Sequence, residues 1–301
     1  MPGPLKSFSG FLWLPLLLLP GCTGETGAEI PFADTGVELC LSATDGGTAT
    51  RSGEAGGPLA EGTELGIYAL SDGNNFLTEN SGNCNTWYRV LADGAVSPDK
   101  EPARVPLGKA CTLYGYAPRH YHKVEEIQAD EVCPVVRHGD DVLWAREEIG
   151  SVSETNRYVT MCFTHRAALV RFVLEPGTGA TAEDLRDAEL VATGFARTGT
   201  LSLATGKISA DADPEEAEIR NIYHLDRSLP VAVIPGQRSI RLKLTLGEHA
   251  ASPGVKETTV VLPLDPGTYY KYTLTYHNAR PLELRVSIEP WKLEDSGEIE
   301  I

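Results

Sequence analysis

"SIRLKLTLG", Ser239–Gly247, decides the fold class. Ile240, Leu242, Leu244 and Leu246 alternate with Arg241, Lys243 and Thr245. A period of two puts every apolar side chain on one face of an extended chain, whereas a helix would scatter them around its axis. The pattern recurs along the chain. "VELCLSA" (37–43) sets Val37, Leu39, Leu41 and Ala43 on one face, and "TYYKYTLTY" (268–276) does so with Tyr270, Tyr272, Leu274 and Tyr276. "LELRVSI" (282–288) alternates Leu282, Leu284, Val286 and Ile288 against Glu283, Arg285 and Ser287. Only "AEDLRDAEL" (182–190), behind Thr181 as a candidate cap, reads as a short helical turn. One-sided strands fit antiparallel sheets, and two such sheets bury their apolar sides by packing face to face. The sequence therefore predicts an all-β sandwich.

The chain has 301 residues, room for one large or two ordinary domains. Strand patterns fall into two groups, from about Val37 to Ala145 and from about Tyr158 to Ile301. Between them "REEIGSVSETN" (146–156) is polar and has no apolar face, so the predicted division is residues 22–150 and 151–301. The acidic "DADPEEAE" (211–218) reads as a solvated loop in the second part. A formal net charge of −16 argues against nucleic-acid partners and against adhesion to anionic lipid through a basic face.

At the N-terminus Lys6 precedes the apolar run "FLWLPLLLL" (11–19), too short to span a bilayer as a mature helix but suited to a signal peptide over residues 1–21. It ends in "LPGC", where small Gly21 stands before Cys22. This resembles the lipobox of bacterial lipoproteins, which implies lipidation of Cys22 and a tether to the outer membrane. Pro20 departs from the small or aliphatic residue usual there, and an ordinary secretory signal is the other reading. Five further cysteines remain, Cys40, Cys84, Cys111, Cys133 and Cys162. An odd number leaves at least one unpaired, and the spacing contains no C-x-x-C pair. Buried free thiols, or one or two disulfides of undetermined pairing, both fit.

Several landmarks, in order, resemble the fimbrillin family, lipoprotein-derived subunits of the type V pili of Bacteroidetes. They are the lipobox at Cys22, the alternating strand followed by "TATRS" (48–52), "GTELGIYAL" (62–70), "YGYAP" (114–118) and "DDVLWA" (140–145). "FTHRAALVRFVL" (163–174), "LDPGTYYKYTLTY" (264–276) and "VSIEPWKLEDSGEI" (286–299) complete the series. The resemblance implies two transthyretin-like β-sandwich domains in tandem. It also implies a fimbrial structural or accessory subunit at the cell surface that supports adhesion. Its partners would be other fimbrial subunits, an arginine-specific protease and a surface receptor on host or bacterium. In such subunits an N-terminal strand is cut away outside the cell, and the matching bond here is Arg51–Ser52.

The residues around that bond suit proteolysis, because "TDGGTAT" and "SGEAGGPL" are small, polar and cheap to open. An uncut linker with a surface arginine is the other reading. Were the leading strand (37–44) removed, an apolar groove and two strand edges would be bared, a template for an added strand. Head-to-tail filling of that groove does not close on itself and yields a filament. The C-terminal "EDSGEIEI" (294–301), with Ile299 and Ile301 in alternation, is a candidate donor or the last strand of its own sheet.

Catalytic and metal signals are weak. His165 shares a strand face with Phe163, Ala167 and Leu169 and reads as a hydrogen-bonded core histidine. "HYH" puts His120 and His122 on one face, with Asp140 and Asp141 as the only further ligands to suggest, and no metal site is expected. No nucleophile elbow, zinc-protease motif or phosphate loop is present, so no enzyme and no cofactor are expected. Trp291 reads as a plug at the base of the second sandwich. The rival function is a non-polymerising surface lipoprotein that binds glycans or host proteins through an aromatic patch at Trp87, Tyr88 and Trp144.

Overall fold

Alternation and turn chemistry produce twenty strands and one 3₁₀ turn among the residues that this computed structural model describes, 36–46, 59–70, 85–119, 134–212, 216–222, 229–289 and 291. The first half contributes β1 (Gly36–Glu38), β2 (Cys40–Asp45), β3 (Glu64–Leu70), β4 (Thr86–Val90), β5 (Val96–Pro98), β6 (Arg104–Pro106), β7 (Cys111–Ala117), β8 (Val135–Arg137), β9 (Leu143–Ile149) and β10 (Tyr158–His165). The second half contributes β11 (Ala168–Pro176), β12 (Glu189–Ala196), β13 (Thr198–Leu201), β14 (Ile208–Ala210), β15 (Glu216–Ile222), β16 (Val231–Val233), β17 (Arg238–Leu246), β18 (Gly254–Leu262), β19 (Tyr269–Tyr276) and β20 (Glu283–Glu289).

A seven-stranded sheet takes the order β2-β10-β9-β7-β3-β4-β5, beside the pair β1-β6. It curls until its ends meet, for Ser42 on β2 bridges Ala95 next to β5. The curled interior is filled by Leu65, Ile67, Leu113, Ala145, Met161 and Phe163, among others. Two four-stranded sheets, β16-β11-β19-β20 and β15-β12-β17-β18, face each other over a second core built on Ile240, Leu242, Leu244, Tyr270, Tyr272 and Leu274. These are the side chains that the alternation of 239–247 and 268–276 selects. A third apolar cluster joins the two, packing Tyr68, Tyr114 and Tyr116 from the outer face of the first sheet against Leu201, Leu203, Ile234 and Tyr269. Strands β3 and β7 are thereby buried on both faces, which explains why "LGIYAL" and "LYGYA" are nearly continuous apolar runs.

Four expectations are corrected. Antiparallel pairing dominates, but β2 runs parallel to β10, and β11 runs parallel to β19. The division expected at residue 150 falls inside the first sheet, because β10 pairs with both β9 and β2 and the passage to second-sandwich strands comes at 166–167. Of the polar stretch, residues 146–149 complete β9 and residues 150–156 lie in its connection to β10, where Asn156 Oδ1 accepts from the Ser153 amide. A polar connection within a sheet and a polar linker between domains look alike in sequence. The expected helical turn over 182–190 is reduced to a 3₁₀ turn at Glu183–Leu185, after which the chain enters β12.

The fourth correction concerns β20. Register sets Val286 beside Tyr272 and Ile288 beside Tyr270, on the inward face, yet they are 57 % and 70 % exposed. Strand β20 is an edge, and only its Leu282 and Leu284 end packs on the core. Alternation sets the face of a strand; whether that face is covered depends on the opposite sheet.

Candidate functional site

The leading segment 36–46 is held on both sides. Along one side β1 pairs with β6 (Val37 opposite Val105), the Leu39 amide donates to Ala103 O at 3.0 Å, and the Ala43 amide donates to Gly94 O at 2.9 Å. Along the other side the Cys40 amide donates to Arg157 O at 2.9 Å, and β2 lies in register with β10 from Cys40 opposite Tyr158 to Asp45 opposite Phe163. Ser42 Oγ donates to Thr160 Oγ1 at 2.9 Å. Successive amides point to opposite neighbours, as strand geometry dictates, so the segment fills a slot between two strand edges. Its side chains do the same in the other dimension: Val37, Leu39, Leu41 and Ala43 are all buried, none more than 6 % exposed, in the core of the first sandwich.

The slot ends in a charged clasp. His165, the last residue of β10, is buried; its Nδ1 lies 2.7 Å from Asp141 Oδ1 and its Nε2 lies 3.6 Å from Asp45 Oδ2. Trp291 stacks on the imidazole with centroids 4.2 Å apart. Burial acts to lower the His165 pKa, but hydrogen bonds and charge from Asp141 and Asp45 outweigh it and raise it from 6.5 to about 9. A folded value above the unfolded one means that the stabilisation is fully present below pH 6.5 and is lost as pH rises through 9. We therefore expect the first sandwich of the wild type to lose roughly 1–3 kcal/mol between pH 6 and pH 10 relative to His165→Asn, measured by denaturant unfolding at each pH. Parallel pH curves for the two proteins would remove the clasp from the account.

Sequence reasoning placed His165 in the core but missed both partners. The signal for one was present: Asp45 is in phase with Val37, Leu39, Leu41 and Ala43, an acid where the alternation calls for an apolar side chain. Asp141, considered above only as a metal partner, is the other. Trp291 does not plug the base of the second sandwich; it packs at the junction between the two, on His165.

Cys22, Arg51, Ser52, Ile299 and Ile301, with Cys84, Cys133, His120 and His122, lie outside the described residues. Among the described cysteines Cys40, Cys111 and Cys162 are free thiols, and burial pushes the Cys111 thiol up to about 12, so it is inert at neutral pH. Among the described residues no group of three or more His, Cys, Asp or Glu is placed to hold a metal ion.

The aromatic patch of the rival reading is not assembled. Tyr88 is buried, its hydroxyl accepting from the Ala103 amide at 2.7 Å. Trp144 sits at the junction, donating Nε1–H to Leu203 O at 2.8 Å under the guanidinium of Arg166. Only Trp87 is exposed, at 38 %, beside an open pocket also lined by Glu64, Arg89, Ser97 and Asp99. The Arg119 guanidinium lies 3.6 Å over its ring.

The fold has solved counterparts. A candidate cell adhesion protein from Bacteroides ovatus superposes with a TM-score of 0.66 at 15 % identity, covering 86 % of this chain and 99 % of its own. One from Bacteroides uniformis gives 0.60 at 18 % identity, covering 85 % and 98 %. A fimbrial assembly protein from Parabacteroides distasonis gives 0.51 at 11 % identity, covering 85 % and 98 %. At these identities the likeness is one of fold. No protein of curated function matches the sequence significantly. The family model described as fimbrillin-like matches residues 49–291, most of the chain, and the protein belongs to the fimbrillin-like family.

Proposed function

We propose that this protein is a fimbrial structural or accessory subunit, exported as a lipoprotein through Cys22 and assembled by strand exchange to support adhesion. Family membership supports a pilus-related or cell-adhesion protein, points to a structural role, and places family members in cell-surface appendages. The finer reading rests on one observation: a short N-terminal segment is hydrogen-bonded on both sides and supplies four core side chains, yet stands just ahead of Arg51. Cleavage after Arg51 by an arginine-specific protease would leave that segment held only by non-covalent contacts. Its loss opens a slot that a strand of another subunit fills, and Ile299 and Ile301 belong to the candidate donor. Two sandwich units, meeting at 166–167, complete the proposed subunit.

Treating the purified full chain with an arginine-specific protease is expected to give one cut at Arg51, loss of residues 36–46 and the appearance of oligomers. Arg51→Ala is expected to remain intact and monomeric under the same treatment. Absence of the cut, or a cut that leaves the segment in place with no assembly, rejects the subunit reading.

A further inference from the structure

The slot has features that its apolar content alone does not require. The segment occupying it runs parallel to β10, and donates amides at Leu39, Cys40 and Ala43, so proline is excluded at those three positions. It presents three large or medium apolar side chains, Val37, Leu39 and Leu41, then a small one, Ala43, then an acid, Asp45, all on one phase. At the last position the wall is polar: His165 stands between Asp45 and Asp141 under the Trp291 ring, with its side chain 6 % exposed.

We propose that His165 is a specificity-determining residue of the slot, which takes an extended partner strand carrying a carboxylate in phase with its apolar side chains, two residues beyond a small one. Asp141 fixes one imidazole nitrogen, and the other is left facing the occupant's acid. This rests on the strand-exchange reading above and sharpens it. An apolar side chain in place of Asp45 leaves the imidazole, buried and already committed to Asp141, without its second acceptor, and Asn keeps an acceptor there but removes the charge.

The preference bears on the kind of partner. In "EDSGEIEI" the acids Glu298 and Glu300 fall on the opposite phase to Ile299 and Ile301, and the acid in phase with them, Asp295, precedes them. A strand entering parallel to β10, as residues 40–45 do, must carry its acid after its apolar side chains, so the slot is better matched to a strand of that order from a different subunit than to a copy of this chain's residues 294–301.

The experiment uses the full chain with a site for a sequence-specific protease substituted at residues 48–54, nicked there, so that residues 36–46 become exchangeable whether or not Arg51 is a natural cut site. Three fluorescent peptides are titrated as probes: residues 35–47, the same peptide with Asp45→Asn, and residues 292–301. The expected result is exchange of the first, about tenfold weaker binding of the second, and weaker binding still of the third. In nicked His165→Asn chain the first two are expected to bind within twofold of each other. Entry of the first two peptides with equal affinity into the nicked wild type overturns the role of His165 and leaves strand exchange standing. Failure of every peptide to enter overturns strand exchange itself. Because the Asp45→Asn change is made in the peptide, the comparison survives if the His165 variant does not fold.

Discussion

Leu41→Asp in the full chain is expected to destabilise the first sandwich by about 4 kcal/mol or more, whereas Ser42→Ala, one residue on, costs only about 0.5–1.5 kcal/mol. The two residues are neighbours in β2, both in register with β10, so the contrast turns on side-chain placement. Leu41 is buried in a cluster with Leu39, Ala43, Leu65, Ile67 and Phe163. Its replacement forfeits about 1.5–3 kcal/mol of apolar burial and forces an unpaired carboxylate either into that core or out of it with the strand. Ser42 is only half-buried and loses one hydrogen bond to Thr160. The readout is denaturant unfolding followed by a probe in the first sandwich, with the second serving as internal reference because its core is a separate cluster. If Leu41→Asp unfolds within about 1 kcal/mol of the wild type, the leading segment is not part of the core, and neither strand loss nor strand replacement has an energetic consequence.

The same variant offers a route to the vacated slot without a protease. Should the strand leave rather than drag the sandwich open, the edge of β10 and the facing edge at Ala103 and Val105 lose their partners together. Two unpaired edges flanking an apolar floor are a stronger template than one, since an added strand satisfies both. Oligomers of Leu41→Asp at neutral pH would then report the slot directly.

Much of this was readable from residues and some was not, for definable reasons. Ile240 to Leu246 and Tyr270 to Tyr276 announced the second core because each strand has one wet face, and alternation is the direct record of that asymmetry. Strands β3 and β7, wet on neither face, carried no alternation; their apolar runs were legible as buried but not as the wall shared by two clusters. The alternation of 282–288 predicts one core-facing side, and Val286 and Ile288 are nonetheless exposed, since a periodic strand cannot encode whether its neighbour sheet extends far enough to cover it. Pairing partners lay further from reach. Nothing local says that 40–45 lies parallel to a strand over a hundred residues away, and that pairing is what carries β10 past the division expected at 150. The clasp was half-visible: an acid in apolar phase at Asp45 is a local anomaly, and anomalies of this kind mark sites where another requirement outweighs the core.

Phe163→Ala is expected to cost about 3–5 kcal/mol, at the upper end for a phenylalanine, and Gly115→Val is expected to restore part of it in the double variant. The reason lies in β7. A Cβ built on Gly115 would stand 2.6 Å from Phe163 Cζ and 2.9 Å from Cε1, so the ring occupies the space that any side chain at 115 needs. Deleting the ring leaves a void floored by glycine, with no side chain on that strand position able to collapse into it. In the wild-type background Gly115→Val has the opposite fault and drives a fully buried ring off its rotamer, for roughly 1–3 kcal/mol. Combined, the two changes exchange ring volume for valine volume; the next obstacle, Met161 Cε at 3.0 Å, is the free end of a flexible side chain. The double-mutant cycle should therefore show a favourable coupling of about 2 kcal/mol or more. Strictly additive losses would mean that Phe163 does not rest on β7. Since Phe163 lies opposite Asp45 in the ladder, β10 would then be an unsupported wall, and the slot beside it could not hold a strand in register.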